Sequence, residues 1–151
     1  MTTVISRGRA AEVLLVEDND DDVELLRIAL RRCSSPTSLH RVGNGEQCLA
    51  YLRREGSYAD APRPDLVLLD LNMPRMDGRE VMAAIAADES LWQVPVVVLT
   101  TSGAEHDIGA AYRLRFHSYA VKPVDFQDFA NLLEGITSYW FKIMAAPNDA
   151  G

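Results

Sequence analysis

The sequence predicts an α/β fold in which a five-stranded parallel sheet is flanked by crossover helices, and three observations support this prediction. Five short apolar runs alternate with amphipathic helical patterns along the 151 residues. The runs at residues 13–16 and 66–69 are continuously apolar, as expected of strands that are covered on both faces. Carboxylates close both runs, and the carboxyl ends of parallel strands are where open α/β sheets bind ligands.

The first part of the chain predicts two strands and two helices. Residues 13–16 form the first strand, and Asn19 or Asp20 can cap a helix that continues through residue 32. The apolar positions of this helix are Val23, Leu26, Ile28 and Leu30. A weaker, alternating strand at 39–42 ends at a Gly-Asn-Gly turn, which leads into a second helix. That helix carries Cys48, Leu49, Tyr51 and Leu52.

The rest of the chain predicts three more strands and three helices. Residues 56–64 are rich in proline and small residues and predict a loop before the strand that ends at Asp70. A short amphipathic helix follows Gly78, and residues 96–100 are the most strand-like stretch of the chain. A weakly apolar helix at 107–116, a short strand at 119–121 and one long helix at 126–144 complete the pattern. We expect one domain at 11–144, with flexible tails at 1–10 and 145–151.

Composition and charge narrow the class of protein. Hydrophobic residues make up 48% of the chain and charged residues 25%, which is typical of a globular domain. A net charge of -7 argues against binding of nucleic acid or anionic membranes, because phosphate contacts require clustered Lys and Arg. Cys33 and Cys48 lack the spacing of a metal site, so we expect free thiols. No signal peptide or membrane-spanning stretch is evident, so we expect a cytoplasmic protein.

Polar side chains with complementary chemistry follow four of the predicted strands. Glu17 and Asp18 close the first strand, Asp70 closes the third, Thr100 ends the fourth, and Lys122 follows the fifth. Several carboxylates in one pocket repel each other unless a cation lies between them. Oxygen ligands without His or Cys favour Mg²⁺ over zinc. An acidic nucleophile, a divalent ion, a lysine and a hydroxyl are the groups needed for phosphoryl transfer to an aspartate.

The acidic run at residues 17–22 has a simpler alternative explanation. Carboxylates stabilise the first turn of a helix by their interaction with the helix dipole. We expect that role for Asp20, Asp21 and Asp22, whereas Glu17 and Asp18 are expected to belong to the site.

The same residues resemble those of response-regulator receiver domains. Glu17-Asp18, Asp70, Thr100, Tyr119 and Lys122-Pro123 stand in the order and context of that family, over about residues 11–144. The segment at residues 70–78, which reads DLNMPRMDG, is the strongest single match. The resemblance implies a flavodoxin-like (βα)5 fold with strand order 2-1-3-4-5, an order that receivers exemplify.

The resemblance also implies a phosphoryl acceptor and its metal. Asp70 would receive the phosphoryl group from a phosphohistidine of a sensor histidine kinase. Asp18 and Asp70 would bind Mg²⁺ together with the backbone carbonyl of Asn72, and Glu17 would act nearby or through a water molecule.

A conformational switch follows from the remaining positions of the family motif. Lys122 would pair with the phosphoryl group, and its bond to Pro123 is expected to be cis. The hydroxyl of Thr100 would turn to the phosphoryl oxygens, and Tyr119 would rotate inward into the space left behind. The charge added at Asp70 is the physical cause, because nearby donors must reorganise around it.

The final predicted helix carries more apolar surface than one buried face requires. Its apolar residues cover roughly 200° of arc. They are Phe126, Phe129, Leu133, Ile136, Tyr139, Trp140, Phe141 and Ile143. This helix resembles that of the stand-alone regulators that serve bacterial phytochrome kinases, which implies such a kinase as partner and a homodimer through the last helix. Alternatively, these aromatic residues fold back onto their own domain.

Other functions remain open on the residues alone. A flavodoxin-like electron carrier is disfavoured because the acidic run would repel the phosphate of FMN. A Mg²⁺-dependent aspartyl-phosphate phosphatase usually has a second Asp two residues after the nucleophile, and here that position is Asn72. We expect no turnover enzyme and, without an output domain for DNA binding, a signal that leaves by protein binding, by a change in assembly or by onward phosphorelay.

Overall fold

The computed structural model describes residues 10–70, 78–91, 93–100 and 118–143, and within them one five-stranded parallel sheet is formed. The strands are β1 (Ala11–Val16), β2 (Thr37–Val42), β3 (Leu66–Asp70), β4 (Val96–Thr100) and β5 (Ser118–Val121). Their order is β2-β1-β3-β4-β5, and each neighbouring pair runs parallel. The predicted fold class and strand order are confirmed.

Four helices connect or follow the strands in the described part of the chain. They are α1 (Asp20–Arg31), α2 (Gly45–Leu52), α3 (Gly78–Ala86) and α4 (Phe126–Ser138). A π-helical turn, Tyr139–Ile143, extends α4, and short 3-10 turns span Gly56–Tyr58 and Glu89–Leu91. The helix predicted at 107–116 and most of both predicted tails lie outside the described residues.

Three of the helices begin at side-chain caps that the sequence supplies. Asn19, Asn44 and Asp125 each have extended backbone and accept a hydrogen bond from the backbone N–H three residues later. Each cap satisfies one of the N–H groups that an α-helix leaves without a partner at its start. The caps therefore fix where the chain turns from a strand end into a helix.

The core consists of two layers, one on each face of the sheet. Side chains alternate along each strand, so the two faces of β1 and β3 supply different layers. Leu14, Val16, Val67 and Leu69 pack against α2 and α3. Val13, Leu15, Leu66 and Leu68 pack against α1 and α4. Burial on both faces explains why these strands read as continuous apolar runs.

The last helix packs more of its apolar surface into the domain than we expected. Leu133 is fully buried and Phe141 is 1% exposed, so both belong to the domain's own core. The expectation that these two residues form a partner surface is therefore wrong. Leu133, Thr137 and Phe141 follow one another at intervals of four residues, and all three are buried on the face that packs into the domain. The width of the apolar arc does not reveal which part of it the domain itself covers.

Candidate functional site

The acidic group after β1 combines one buried and one exposed carboxylate. Glu17 is 3% exposed, whereas Asp18 is exposed to solvent. The backbone N–H of Asn19 donates to Oε2 of Glu17 at 3.2 Å. Asp20, Asp21 and Asp22 instead occupy the first turn of α1, as expected for acids at the positive end of a helix.

Asp70 ends β3 in the centre of the sheet. Its neighbours in the parallel ladder are β1, where Val16 pairs with Leu69, and β4, where Leu99 pairs with Asp70 itself. This register places the residue after β1 beside the end of β3. Carboxylate oxygens of Glu17, Asp18 and Asp70 all lie within 4.8 Å of one another. The predicted convergence of these strand ends is present in the structure.

Lys122 follows β5 and reaches the same group of carboxylates. Its Nζ lies 3.3 Å from Oε1 of Glu17 and 3.9 Å from Oδ2 of Asp70. The lysine side chain is 16% exposed and the two carboxylate side chains 4% and 7%, so these charges interact in a largely dry site. Under such conditions electrostatic interactions are stronger than at the surface.

The peptide bond after Lys122 differs from the expectation. The described residues contain no cis peptide bond, so the bond between Lys122 and Pro123 is trans. The expected cis bond is therefore wrong for this structure. The trans isomer is the intrinsic preference even before proline, by about 0.5–1 kcal/mol. The ammonium of Lys122 reaches Glu17 with the bond in this isomer.

The electrostatics of the site favour a cation. The pKa of Glu17 is raised to about 7 as the net result of burial, which raises it most, the ammonium of Lys122, which lowers it, and the carboxylate of Asp70, which raises it. One lysine therefore does not fully offset the cost of holding these carboxylates ionised together. A divalent cation among the three carboxylates would favour their ionised forms.

The donor set fits a hard divalent ion. The three converging side chains offer only carboxylate oxygens, and the group contains no His or Cys. Mg²⁺ and Mn²⁺ prefer such ligands, whereas zinc and copper favour imidazole and thiolate. An exposed Asp18 beside two buried carboxylates also leaves one side of the group open to solvent.

Arg41, which the sequence analysis did not single out, holds the acidic segment in place. Its Nε donates to the backbone carbonyl of Glu17 at 2.8 Å, and Nη2 donates to the carbonyl of Asp18 at 3.2 Å. Its Nη1 pairs with Oδ1 of Asp20 at 2.9 Å. The guanidinium therefore binds three residues, Glu17, Asp18 and Asp20, of the segment that turns β1 into α1. Only the β1–β2 register, in which Arg41 lies opposite Leu15, could have indicated this role.

The remaining predicted positions are described only in part. Thr100 is the last residue of β4, one residue beyond the partner of Asp70. Tyr119 lies in β5 opposite Val98, and Val121 is opposite Thr100. The structure thus places the backbone of Thr100 in the strand next to β3 and that of Tyr119 in the edge strand beyond it. The side chains of both residues are outside what the structure describes. Asn72 lies outside the described residues.

The surface of the last helix is partly covered by its own domain. Phe126, Phe129, Ile136 and Trp140 are partly buried and pack against the core layer that α1 and α4 share. The guanidinium of Arg32 lies 4.9 Å from the centre of the Phe126 ring. Tyr139 is 46% exposed, and the side chain of Ile143 is outside what the structure describes. Contacts within the domain therefore cover a large part of the apolar surface of the last helix.

The length and apolar character of the helices decide whether any of them could cross a membrane. In the ranges that the structure describes, no helix combines the length and the apolar character that are needed to cross a bilayer.

Comparison with known proteins identifies relatives of the whole domain. The chain matches the response regulator receiver domain model over residues 13–134. Response regulator Rcp1 of Synechocystis sp. is 39% identical over 135 residues, covering 89% of this chain and 92% of that protein. The probable methanogenesis regulatory protein FilR2 of Methanothrix harundinacea is also 39% identical, covering 91% of this chain and 88% of that protein.

The solved structures that are similar to this chain are also response regulators. The phosphorylated cyanobacterial phytochrome response regulator RcpA superposes with a TM-score of 0.85 at 42% identity, covering 91% of this chain and 99% of that one. The Mn²⁺-bound form of Rcp1 superposes with a TM-score of 0.83 at 39% identity, with the same coverage. Both similarities extend over most of the chain.

Proposed function

The chain belongs to the response regulator receiver family of two-component signal transduction, and from that membership we propose that Asp70 accepts a phosphoryl group from a sensor histidine kinase. One observation carries the assignment. Asp70 is 5% exposed at the centre of the sheet, and its carboxylate lies within reach of two further acids and of Lys122. A buried carboxylate at a strand end with these neighbours is suited to react as a nucleophile.

The phosphoryl transfer needs only one covalent contribution from the protein, which is the nucleophilic carboxylate. A carboxylate oxygen of Asp70 attacks the phosphorus of the kinase phosphohistidine, a P–O bond forms and the P–N bond breaks. The departing imidazole nitrogen keeps the electron pair of that bond and takes up a proton. Lys122 lies where its ammonium can pair with the added phosphoryl oxygens, so positioning and charge stabilisation are the main contributions of the chain.

Receiver domains bind a divalent metal ion, and we propose Mg²⁺ for this chain. Asp18 and Asp70 would hold the ion together with the backbone carbonyl of Asn72, and Glu17 would act nearby or through water. The three convergent carboxylates support this assignment because their oxygens are hard ligands. When bound, the ion would neutralise charge on the carboxylates and the phosphoryl oxygens. Rcp1 was solved with Mn²⁺, which has similar ligand preferences.

We further propose that Thr100 and Tyr119 relay the phosphorylation. Their positions in β4 and β5 place them on the side of β3 from which Lys122 also approaches. An aspartyl phosphate adds acceptor oxygens and negative charge at Asp70, so a hydroxyl donor at the end of β4 gains a new partner. The element that moves must be balanced within a few kcal/mol for one modification to shift its population.

The proposed activity is that of a phosphoacceptor. Receivers accept a phosphoryl group, and we expect no turnover of free phosphoesters by this chain. Slow hydrolysis of its own aspartyl phosphate, by attack of water on phosphorus, returns the Asp70 carboxylate and inorganic phosphate. A Mg²⁺-dependent phosphatase is the alternative function. Asn72 argues against it, because such enzymes usually have an Asp at that position. Release of phosphate from small phosphoesters would favour it. Transfer onward to a downstream histidine, as in a phosphorelay, is a second route for the same phosphoryl group.

We propose a phytochrome histidine kinase as the donor, acting in the cytoplasm. The support is the similarity to RcpA, which is described as a phytochrome response regulator. FilR2 is as similar to the chain as Rcp1 is and is described as a methanogenesis regulator, so overall identity does not by itself select the kinase.

Phosphotransfer from a panel of the host's histidine kinases tests both parts of this proposal. The wild type and the Asp60→Asn control, altered at an exposed acid away from the site, should be labelled in the presence of Mg²⁺. Asp70→Asn should remain unlabelled, and labelling of this variant would refute the acceptor assignment. Faster labelling by a kinase without a phytochrome sensor would refute the partner and leave the acceptor intact.

We also propose a homodimer through the last helix, with a narrower surface than the sequence indicated. The partly buried Phe126, Phe129, Ile136 and Trp140 and the exposed Tyr139 remain candidates, and Ile143 is kept on sequence grounds. Val124 is fully exposed at the start of this helix, which adds apolar surface to the same region. Sedimentation at tens of micromolar, with and without a phosphoryl mimic, should show a dimer. A monomer under both conditions would contradict the proposal.

A further inference from the structure

A cleft of about 280 Å³ lies near the amino ends of β3 and β4, whereas Asp70 lies at the carboxyl end of β3. It is bounded by the end of α2, by the segment that precedes β3, and by the 3-10 turn and Val94, which precede β4. The length of β3, roughly 15 Å, separates this end of the sheet from the acidic group. The cleft is therefore not part of the phosphorylation site.

Apolar side chains, most of them buried, and exposed arginines line the cleft together. The apolar lining consists of Tyr51, Leu52, Pro62, Pro64, Leu91 and Val94. Three arginines, Arg53, Arg54 and Arg63, and one hydroxyl, that of Ser90, complete the lining. Among the described lining residues there is no acid, although the chain as a whole carries a net charge of -7. The charge of the cleft thus has the opposite sign to that of the protein.

Two of the three arginines are available to a ligand. Nε of Arg53 donates to Oδ2 of Asp88 at 3.1 Å, so this guanidinium is already neutralised in part. Arg54 and Arg63 are exposed and form no ion pair with any residue that the structure describes. Planar guanidinium groups bind carboxylate and phosphate through paired N–H donors.

Arg54 has an unfavourable backbone conformation at the rim. Its φ is 56°, in the left-handed region that glycine or asparagine would adopt at lower cost. It closes α2, because its N–H donates to the carbonyl of Tyr51 at 3.1 Å and the N–H of Glu55 donates to that of Ala50 at 2.9 Å. This closure is usually made by glycine, so an arginine there adds a cationic side chain to the cleft at a conformational cost.

We propose that this cleft binds a small organic anion that has an apolar, ring-sized body and a carboxylate or phosphate group. The apolar walls would cover the body, and Arg54 and Arg63 would pair with the anionic group at the rim. A cleft of this volume is near the lower end of small-molecule sites, so a compact ligand fits better than a nucleotide or a peptide.

Titration of the full chain followed by amide NMR tests the proposal. The probes are 1-naphthoate, 1-naphthyl phosphate and the neutral 1-naphthamide, which share one aromatic body. We expect saturable shifts of the amide signals of residues 51–54, Arg63, Ser90, Leu91 and Val94 for the anions. The amide should bind at least roughly ten-fold more weakly, since hydrogen bonds to charged groups are stronger than neutral ones. The ratio of the two anion affinities identifies the preferred head group.

Two variants locate the cationic contacts, and a third serves as control. Arg63→Gln and Arg54→Asn should each weaken binding of the anions several-fold, and asparagine tolerates the backbone of position 54. Arg31→Gln, which removes the same charge from the exposed end of α1, should leave the affinities unchanged. Equal affinity for naphthoate and naphthamide, shifts outside the cleft, or wild-type affinity in both cleft variants would each overturn the proposal.

Discussion

The ammonium of Lys122 lies closer to Glu17 than to Asp70, at 3.3 Å from Oε1 of the former and 3.9 Å from Oδ2 of the latter. In this arrangement the lysine therefore stabilises mainly the acid after β1. If Lys122 is to pair with phosphoryl oxygens on Asp70, Glu17 must give up part of that interaction. The ionisation state of Glu17 is thus coupled to the events at Asp70, and pH and divalent ions become useful probes of the site.

Glu17 should make the stability of the metal-free chain depend on pH. Its pKa is raised from 4.5 to about 7, mainly by burial, so folding strengthens proton binding at this group. The resulting stabilisation is fully present below pH 4.5 and is lost as the pH rises to about 7. Glu17→Gln is neutral throughout, so above that pH in EDTA it should exceed the wild type in stability by about 3 kcal/mol.

Thermal unfolding across this pH range, with EDTA present, measures the effect. Glu55→Gln, an exposed acid beyond α2, is the matched control and should follow the wild-type curve. A Glu17→Gln curve parallel to that of the wild type would show that Glu17 is already ionised in the folded chain at acidic pH.

Divalent ions should stabilise the chain through the three convergent carboxylates. An ion that binds only the folded state at a hundred-fold excess over its dissociation constant adds about 2.7 kcal/mol of stability. Asp18→Asn removes one charged ligand but leaves the core intact, because Asp18 is exposed. Titration of Mg²⁺ against melting temperature should therefore show a large shift for the wild type and for Asp60→Asn, and a much smaller shift for Asp18→Asn. Equal shifts in all three proteins would place the metal elsewhere.

The sheet could be predicted from the sequence because strands that are buried on both faces consist of consecutive apolar residues. β3 and β4 are uninterrupted apolar runs, and their predicted ends at Asp70 and Thr100 agree with the structure. Since the carboxyl ends of parallel strands share one edge, the convergence of Glu17, Asp18 and Asp70 followed from the order of the strands.

The features that sequence reasoning missed depend on geometry between elements. Arg41 lies in a half-buried strand, and its contacts with Glu17 and Asp18 arise only from the register of β1 and β2. Leu133 and Phe141 were assigned to a partner surface because the sequence gives the width of the apolar arc but not which part of it the domain itself covers. The cis bond before Pro123 was inferred from family resemblance and not from any local property of the sequence.

Arg41 should act as a positioning residue for the metal ligands. Its guanidinium holds the carbonyls of Glu17 and Asp18, so its loss should loosen the acidic segment without removing any ligand. Supporting groups of this kind typically change metal affinity by about 10- to 100-fold. Arg41→Gln and Arg41→Lys should both weaken Mg²⁺ binding, because lysine keeps the charge and lacks the planar fork of donors.

Isothermal titration with Mg²⁺, beside melting curves in EDTA, separates positioning from general stability. Arg31→Gln is again the control for loss of one surface charge. If Arg41→Lys retained wild-type affinity, the effect of Arg41 would be one of charge alone. If affinity and metal-free melting temperature fell in proportion across the variants, its role would be structural.

Tyr51 should be a site where removing a polar atom stabilises the chain. The residue is 5% exposed, and its ring packs 5.3 Å from that of Tyr58. Its hydroxyl is buried and has no hydrogen-bond partner in the described part of the chain, while burial raises the pKa of the phenol and keeps it protonated. A buried hydroxyl without a partner costs about 1–3 kcal/mol, so Tyr51→Phe should gain roughly 1 kcal/mol and melt about 2–4 °C higher.

Tyr58→Phe, at a partly exposed ring, should melt close to the wild type. A lower melting temperature for Tyr51→Phe would mean that the hydroxyl has a partner in solution, most simply a bound water.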